Sequence, residues 1–93
     1  HTFAITIKVS GDQLSNEGWI MDFYDIDKLF KEKIHKKLDH KYLNDIEGLS
    51  NPTTEHVAMW IWGKLKNDLK GLASVSVSEG NSYGCEYFGE KNA

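Results

Sequence analysis

Ninety-three residues, 40% of them hydrophobic and 27% charged, have the composition of one globular domain with room for one modest core. A net charge of −3 argues against a nucleic-acid binder, which needs a basic face to neutralise phosphates, and no apolar run approaches the roughly 20 residues of a membrane-spanning helix. What remains is a soluble domain whose single cysteine, Cys85, cannot form an internal disulfide, so a reducing cytosol is its natural setting.

In chain order, the first segment alternates. Phe3, Ile5, Ile7 and Val9 point one way, and Thr2, Ala4, Thr6, Lys8 and Ser10 the other, as in a half-buried strand ending at Ser10-Gly11-Asp12. The strand pattern begins at the first residues, which predicts further sequence upstream. After a polar stretch, Asp22 suits a helix N-cap, with Asp25 in the first turn to favour the helix dipole. Ile26, Leu29, Phe30, Ile34 and Leu38 then repeat at three- and four-residue spacing, which predicts an amphipathic helix over 23–38. Its cluster of Lys31, Lys33, Lys36 and Lys37, with Glu32 placed four before Lys36, reads as a solvated face.

A polar loop through Asn44, Asp45, Gly48, Ser50 and Asn51 reaches the only proline, Pro52. A second helix starts at Thr53 or Thr54, either of which can cap it. Ala58, Ile61, Trp62, Leu65 and Leu69 form its apolar face, widened by Val57 and Trp60, and Gly71 reads as its C-terminal glycine. Period two then returns. Ala73, Val75, Val77 and Glu79 share one face of a strand, and Ser74, Ser76 and Ser78 the other. Gly80-Asn81-Ser82 turns the chain into a last strand over 83–88. The order strand, helix, helix, strand, strand predicts an α+β domain: an antiparallel sheet with two helices on one face.

Three features carry possible chemistry. Glu79 continues the apolar row of Val75 and Val77, so it is either at the wet rim of the sheet or held to bind something. A carboxylate there pairs well with two adjacent N–H donors, as guanidines and 2-aminopyrimidinones offer. Asp39 and His40, at the end of the first helix, form a pair in which aspartate can orient an imidazole that moves protons. The hydroxyls of Thr53 and Thr54 can hold polar ligand atoms as well as cap a helix. His35, Asp39 and His40 have the atoms for a metal site, but His35 lies among lysines and reads as solvated. His56 reads as surface, and Cys85 as core packing.

Taken together, the blocks Gly18-Trp19-Ile20-Met21-Asp22-Phe23, Leu38-Asp39-His40-Lys41-Tyr42-Leu43-Asn44-Asp45, Asn51-Pro52-Thr53-Thr54-Glu55, Trp60-Ile61-Trp62, Glu79 and Tyr83-Gly84-Cys85-Glu86-Tyr87 resemble the 6-pyruvoyl-tetrahydropterin synthase family. The resemblance covers almost the whole chain and is nearest the bacterial branch that serves queuosine biosynthesis. It implies a tunnelling fold (T-fold) in which subunits join their sheets into barrels, commonly trimers stacked into hexamers. The family's first strand would precede His1, so residues 1–93 would be a single T-fold domain lacking that strand, and β-strand 2–10 would keep an unpaired edge.

The resemblance also implies a zinc ion held by three histidines, of which His1 matches the last and the others lie upstream. It makes Asp39 and His40 the proton-transferring pair, working with a cysteine that also lies upstream and that Cys85 does not match. It makes Glu79 the anchor of the pterin ring, with Thr53 and Thr54 lining the pocket. One departure is Gly80, where the branch usually carries threonine. The implied reaction converts 7,8-dihydroneopterin triphosphate to 6-carboxy-5,6,7,8-tetrahydropterin, releasing acetaldehyde and triphosphate. The alternatives are triphosphate elimination alone, giving 6-pyruvoyltetrahydropterin, a variant making a folate precursor, or a pterin-binding oligomer without catalysis. Without its upstream ligands and cysteine, the fragment alone is expected to be inactive.

Overall fold

A computed structural model describes residues 3–11, 22–38, 45–49, 53–80 and 83–89. Its elements run β1 (Phe3–Val9), α1 (Phe23–Phe30), a π-helical segment (Lys31–His35), α2 (Lys36–Leu38), α3 (Thr54–Leu65), β2 (Leu72–Glu79) and β3 (Tyr83–Tyr87). The strands form an antiparallel sheet in the order β1-β2-β3. The α+β arrangement read from the alternating and helical periods is therefore the one observed, and it is consistent with the T-fold. No helix among the described residues is long and apolar enough to cross a membrane.

Register follows the side-chain period. Ile5 pairs with Val77 and Ile7 with Val75, while Cys85 and Tyr87 pair with Val77 and Val75 from the other side. One face of the sheet is thus apolar, and it packs on Ile34 of the π segment and Val57, Ala58, Ile61 and Leu65 of α3. Buried apolar area of this kind is the main stabilising term, at about 25 cal/mol per Å². The opposite face carries Thr6, Lys8, Ser74, Ser76 and Glu86. There Ser74 donates to Glu86 at 2.7 Å, and Lys8 pairs with the same carboxylate at 3.2 Å.

The first helix spans the expected 23–38 but is not uniform. Asp22 caps it, its side chain accepting from the Tyr24 N–H at 2.9 Å. The segment Lys31–His35 winds as π-helix, the Lys36 N–H donating to the Lys31 carbonyl. Ile26, Phe30, Ile34 and Leu38 lie four residues apart, and in an α-helix such a row drifts by roughly 40° per step. A wider turn corrects the drift, and Ile34 is fully buried. Lys31 pairs with Asp27 at 3.0 Å, the ordinary four-residue helical spacing, and Lys33 with Asp68 at 3.4 Å.

The second helix is capped by Thr53, as the Pro-Thr-Thr sequence predicts, and ends at Leu65. Leu69, expected on its apolar face, is buried in the turn beyond, its N–H donating to the Leu65 carbonyl. Gly71 is not the cap of this helix. It lies against β1: its carbonyl accepts from the Ser10 N–H at 2.7 Å, and a Cβ there would stand 2.5 Å from the Ser10 carbonyl oxygen. The residue is glycine because two backbones meet, a reason that helix periodicity does not reveal.

Candidate functional site

Two ring contacts fix how α3 lies on the sheet. Tyr83, at the start of β3, reaches Glu55 in the first turn of α3, its hydroxyl donating to Oε2 at 3.0 Å and Oε1 at 3.4 Å. Tyr87, at the end of β3, meets Trp62 edge-on, with centroids 5.7 Å apart and planes at 89°. Four strand residues span roughly 13 Å and seven helical residues roughly 10 Å, so helix and strand run side by side in the same direction. The N-terminus of α3 therefore lies at the end of the sheet where β2 ends and β3 begins.

Glu79 is at that same end. It is the last residue of β2, half-buried, and the cross-strand partner of Tyr83. Gly80 follows with φ +69°, a left-handed conformation that a threonine would hold only with strain. Thr53 and Thr54 are on the other side of the corner. Thr53 Oγ1 accepts from the His56 N–H at 3.1 Å and lies 3.1 Å from His56 Nδ1, so the threonine and histidine occupy the two positions of a capping pair. Thr54 is buried and donates to Glu55 Oε1 at 2.9 Å.

The corner thus collects two carboxylates and three hydroxyls. Glu55 is held below the usual carboxylate range by its own backbone N–H first, then by the hydroxyls of Thr54 and Tyr83. Its acceptor capacity is largely taken up by the hydroxyls of Thr54 and Tyr83. Glu79, half-buried, ends the core-face row of β2 at the rim of the sheet.

Of the residues singled out from the sequence, the structure brings Glu79, Thr53 and Thr54 to one corner. His1, Asp39 and His40 lie outside the described residues. Among the described residues no group of three His, Cys, Asp or Glu side chains could hold a metal ion. His35 and His56 are exposed, as expected, and Cys85 is half-buried against the core opposite Val77. Glu55 and Tyr83 are the residues whose role periodicity alone left unassigned. The signal was present: the period-two row across a three-residue turn puts Tyr83 on the face of Glu79.

Comparison with known proteins decides the family. The family model described as 6-pyruvoyl tetrahydropterin synthase matches residues 1–90. The chain belongs to the 6-pyruvoyl tetrahydropterin synthase family. A Synechocystis protein named 6-carboxy-5,6,7,8-tetrahydropterin synthase is 38% identical over 93 residues, covering 95% of this chain and 72% of the relative. A Pyrococcus furiosus protein named dihydroneopterin monophosphate aldolase is also 38% identical, over 89 residues, covering 92% of this chain and 74% of the relative. A Dictyostelium discoideum 6-pyruvoyl tetrahydrobiopterin synthase is 32% identical over 94 residues, covering 97% of this chain and 70% of its own. These members of the family are all enzymes, and their names share a pterin and differ in the reaction.

Proposed function

We propose that this member of the family converts 7,8-dihydroneopterin triphosphate to 6-carboxy-5,6,7,8-tetrahydropterin, with release of acetaldehyde and triphosphate, as a lyase of queuosine biosynthesis in the cytosol. The observation that carries the reading is Glu79, a carboxylate ending an apolar strand row beside the start of α3. Its two oxygens match the adjacent ring N–H and exocyclic amino donors of a pterin, and such paired charge-assisted hydrogen bonds orient a flat ring as well as bind it. Thr53 and Thr54 offer hydroxyls to the ring's remaining polar atoms. His40, oriented by Asp39, moves protons at the substrate side chain. Zinc, with His1 as one ligand, would polarise the side-chain hydroxyls when bound. The functional unit is a homo-oligomer, a hexamer built as a dimer of trimers, which would extend the sheet and cover its polar face.

A second reading has its own support. The aldolase relative is as similar as the carboxy-forming one, so retro-aldol cleavage of a monophosphate substrate, yielding a hydroxymethyl pterin, competes directly. Simple triphosphate elimination to 6-pyruvoyltetrahydropterin, or pterin binding without turnover, would use the same ring anchor. The experiment is product mass after incubating full-length, metal-loaded protein separately with dihydroneopterin triphosphate and monophosphate. A carboxy product with acetaldehyde supports the proposal. A hydroxymethyl or pyruvoyl product moves the protein to another branch, and bound pterin without product removes catalysis.

A further inference from the structure

Tyr83 and Glu55 make a connection that the ring-anchor reading leaves unused. Tyr83 is half-exposed, yet its hydroxyl is tied by 3.0 Å and 3.4 Å contacts to both oxygens of Glu55, twenty-eight residues away. Glu55 in turn accepts from Thr54 at 2.9 Å. The tie therefore joins the two halves of the corner: the strand end that carries Glu79, through its cross-strand partner, and the helix start that carries Thr53 and Thr54. The segment it closes contains a left-handed Gly80, a position with more conformational freedom than any other residue would give it.

We propose that Tyr83 and Glu55 form a latch that positions Glu79 for pterin recognition, and that they determine selectivity for the 2-amino edge of the ring. The inference rests on the pterin-anchoring reading of Glu79. Two physical effects give it content. Paired N–H to carboxylate bonds require in-plane alignment, so the strand end bearing the acceptor must be fixed relative to the pocket wall. The donors from Tyr83 and Thr54 also hold the Glu55 carboxylate in place, so the helix start is fixed to the strand end that bears Glu79. The lowered proton affinity of Glu55, caused by its backbone N–H, Thr54 and Tyr83, agrees with a carboxylate held by these donors. Both are positioning residues, since their reach to the ligand runs through Glu79.

The test compares binding of pterin and lumazine, which differ in carrying an amino or an oxo group at ring position 2 and in the N1 hydrogen that accompanies the oxo group. It uses full-length, assembled protein as wild type, Tyr83→Phe, Glu55→Gln, the double variant and Glu79→Gln, with thermal midpoints measured alongside. Glu79→Gln is expected to abolish the preference for pterin. Tyr83→Phe and Glu55→Gln are expected to reduce the pterin-to-lumazine affinity ratio by about 3- to 10-fold each, the scale of one hydrogen bond. The double variant should lose no more than the larger single, because both substitutions break one connection. If Glu79→Gln collapses the ratio while Tyr83→Phe and Glu55→Gln keep it at the wild-type value, the latch is overturned and the anchor stands. Weakening of both ligands in parallel at a constant ratio would likewise overturn it, as a general loss of folding. If Glu79→Gln leaves the ratio intact, the anchor fails and the latch fails with it.

Discussion

Glu79 interrupts an apolar row that Val75 and Val77 establish, and both valines are almost completely buried. A charged side chain at such a position costs stability unless something is gained from it, and sites of function are where proteins accept that cost. Replacement by valine should therefore remove pterin binding while the protein stays folded, as urea unfolding would show. A loss of stability with binding retained would make Glu79 structural. The residue was legible in the sequence because a carboxylate broke an alternation. Glu55 was not, since a glutamate in the first turn of a helix is ordinary and only the reach of Tyr83 gives it a role. Acid titration probes the same scale. Glu55 and Glu86 both have lowered carboxyl pKa values, the latter through Ser74 and then Lys8. A carboxyl that binds protons more weakly when folded stabilises fully above its unfolded value, and that contribution is lost as pH falls through the folded one. Thermal midpoints should hold from neutral pH down to the ordinary carboxylate range near pH 4.5 and then fall. Glu86→Gln should make that acid-side fall shallower.

At the scale of elements, caps and strands are written locally, and closures between elements are not. Asp22 and Thr53 were readable as caps because a short polar side chain precedes each helical period, and both accept backbone N–H bonds. Thr53→Ala should cost about 1 kcal/mol of stability, measured by denaturant unfolding. The π-helical segment was not readable as such. A row of apolar residues four apart fits an α-helix locally, and only packing of Ile34 against α3 and the sheet selects the wider turn. Gly71 follows the second helix in sequence, but it is the Ser10 backbone that excludes a side chain there. Gly71→Ala should destabilise by about 1–3 kcal/mol, because the added carbon must push two strands' ends apart. An unchanged denaturation midpoint would contradict that packing.

At the scale of the whole molecule, the sheet shows an apolar face under two helices and a polar face built from Thr6, Lys8, Ser74, Ser76 and Glu86. The order of elements was enough to give this α+β layout, because alternation fixes which face of each strand is buried. The site was only partly legible: Glu79, Thr53 and Thr54 come together through the direction of α3 along β3, a tertiary fact that no periodicity contains. Among the described residues, β1 and β3 are the outer strands of this sheet, on either side of β2. The proposed oligomer uses such edges, and light scattering of the full-length protein should give a trimer or hexamer mass; a monomer would contradict it. The claim on which the rest depends is that a pterin ring docks at the corner of Glu79 and the start of α3. A crystal structure of the full-length protein with neopterin tests it most directly. The 2-amino edge of the ring is expected to pair with the Glu79 carboxylate, with Tyr83 still bound to Glu55. A ring bound elsewhere, or its amino edge turned away from Glu79, would contradict it.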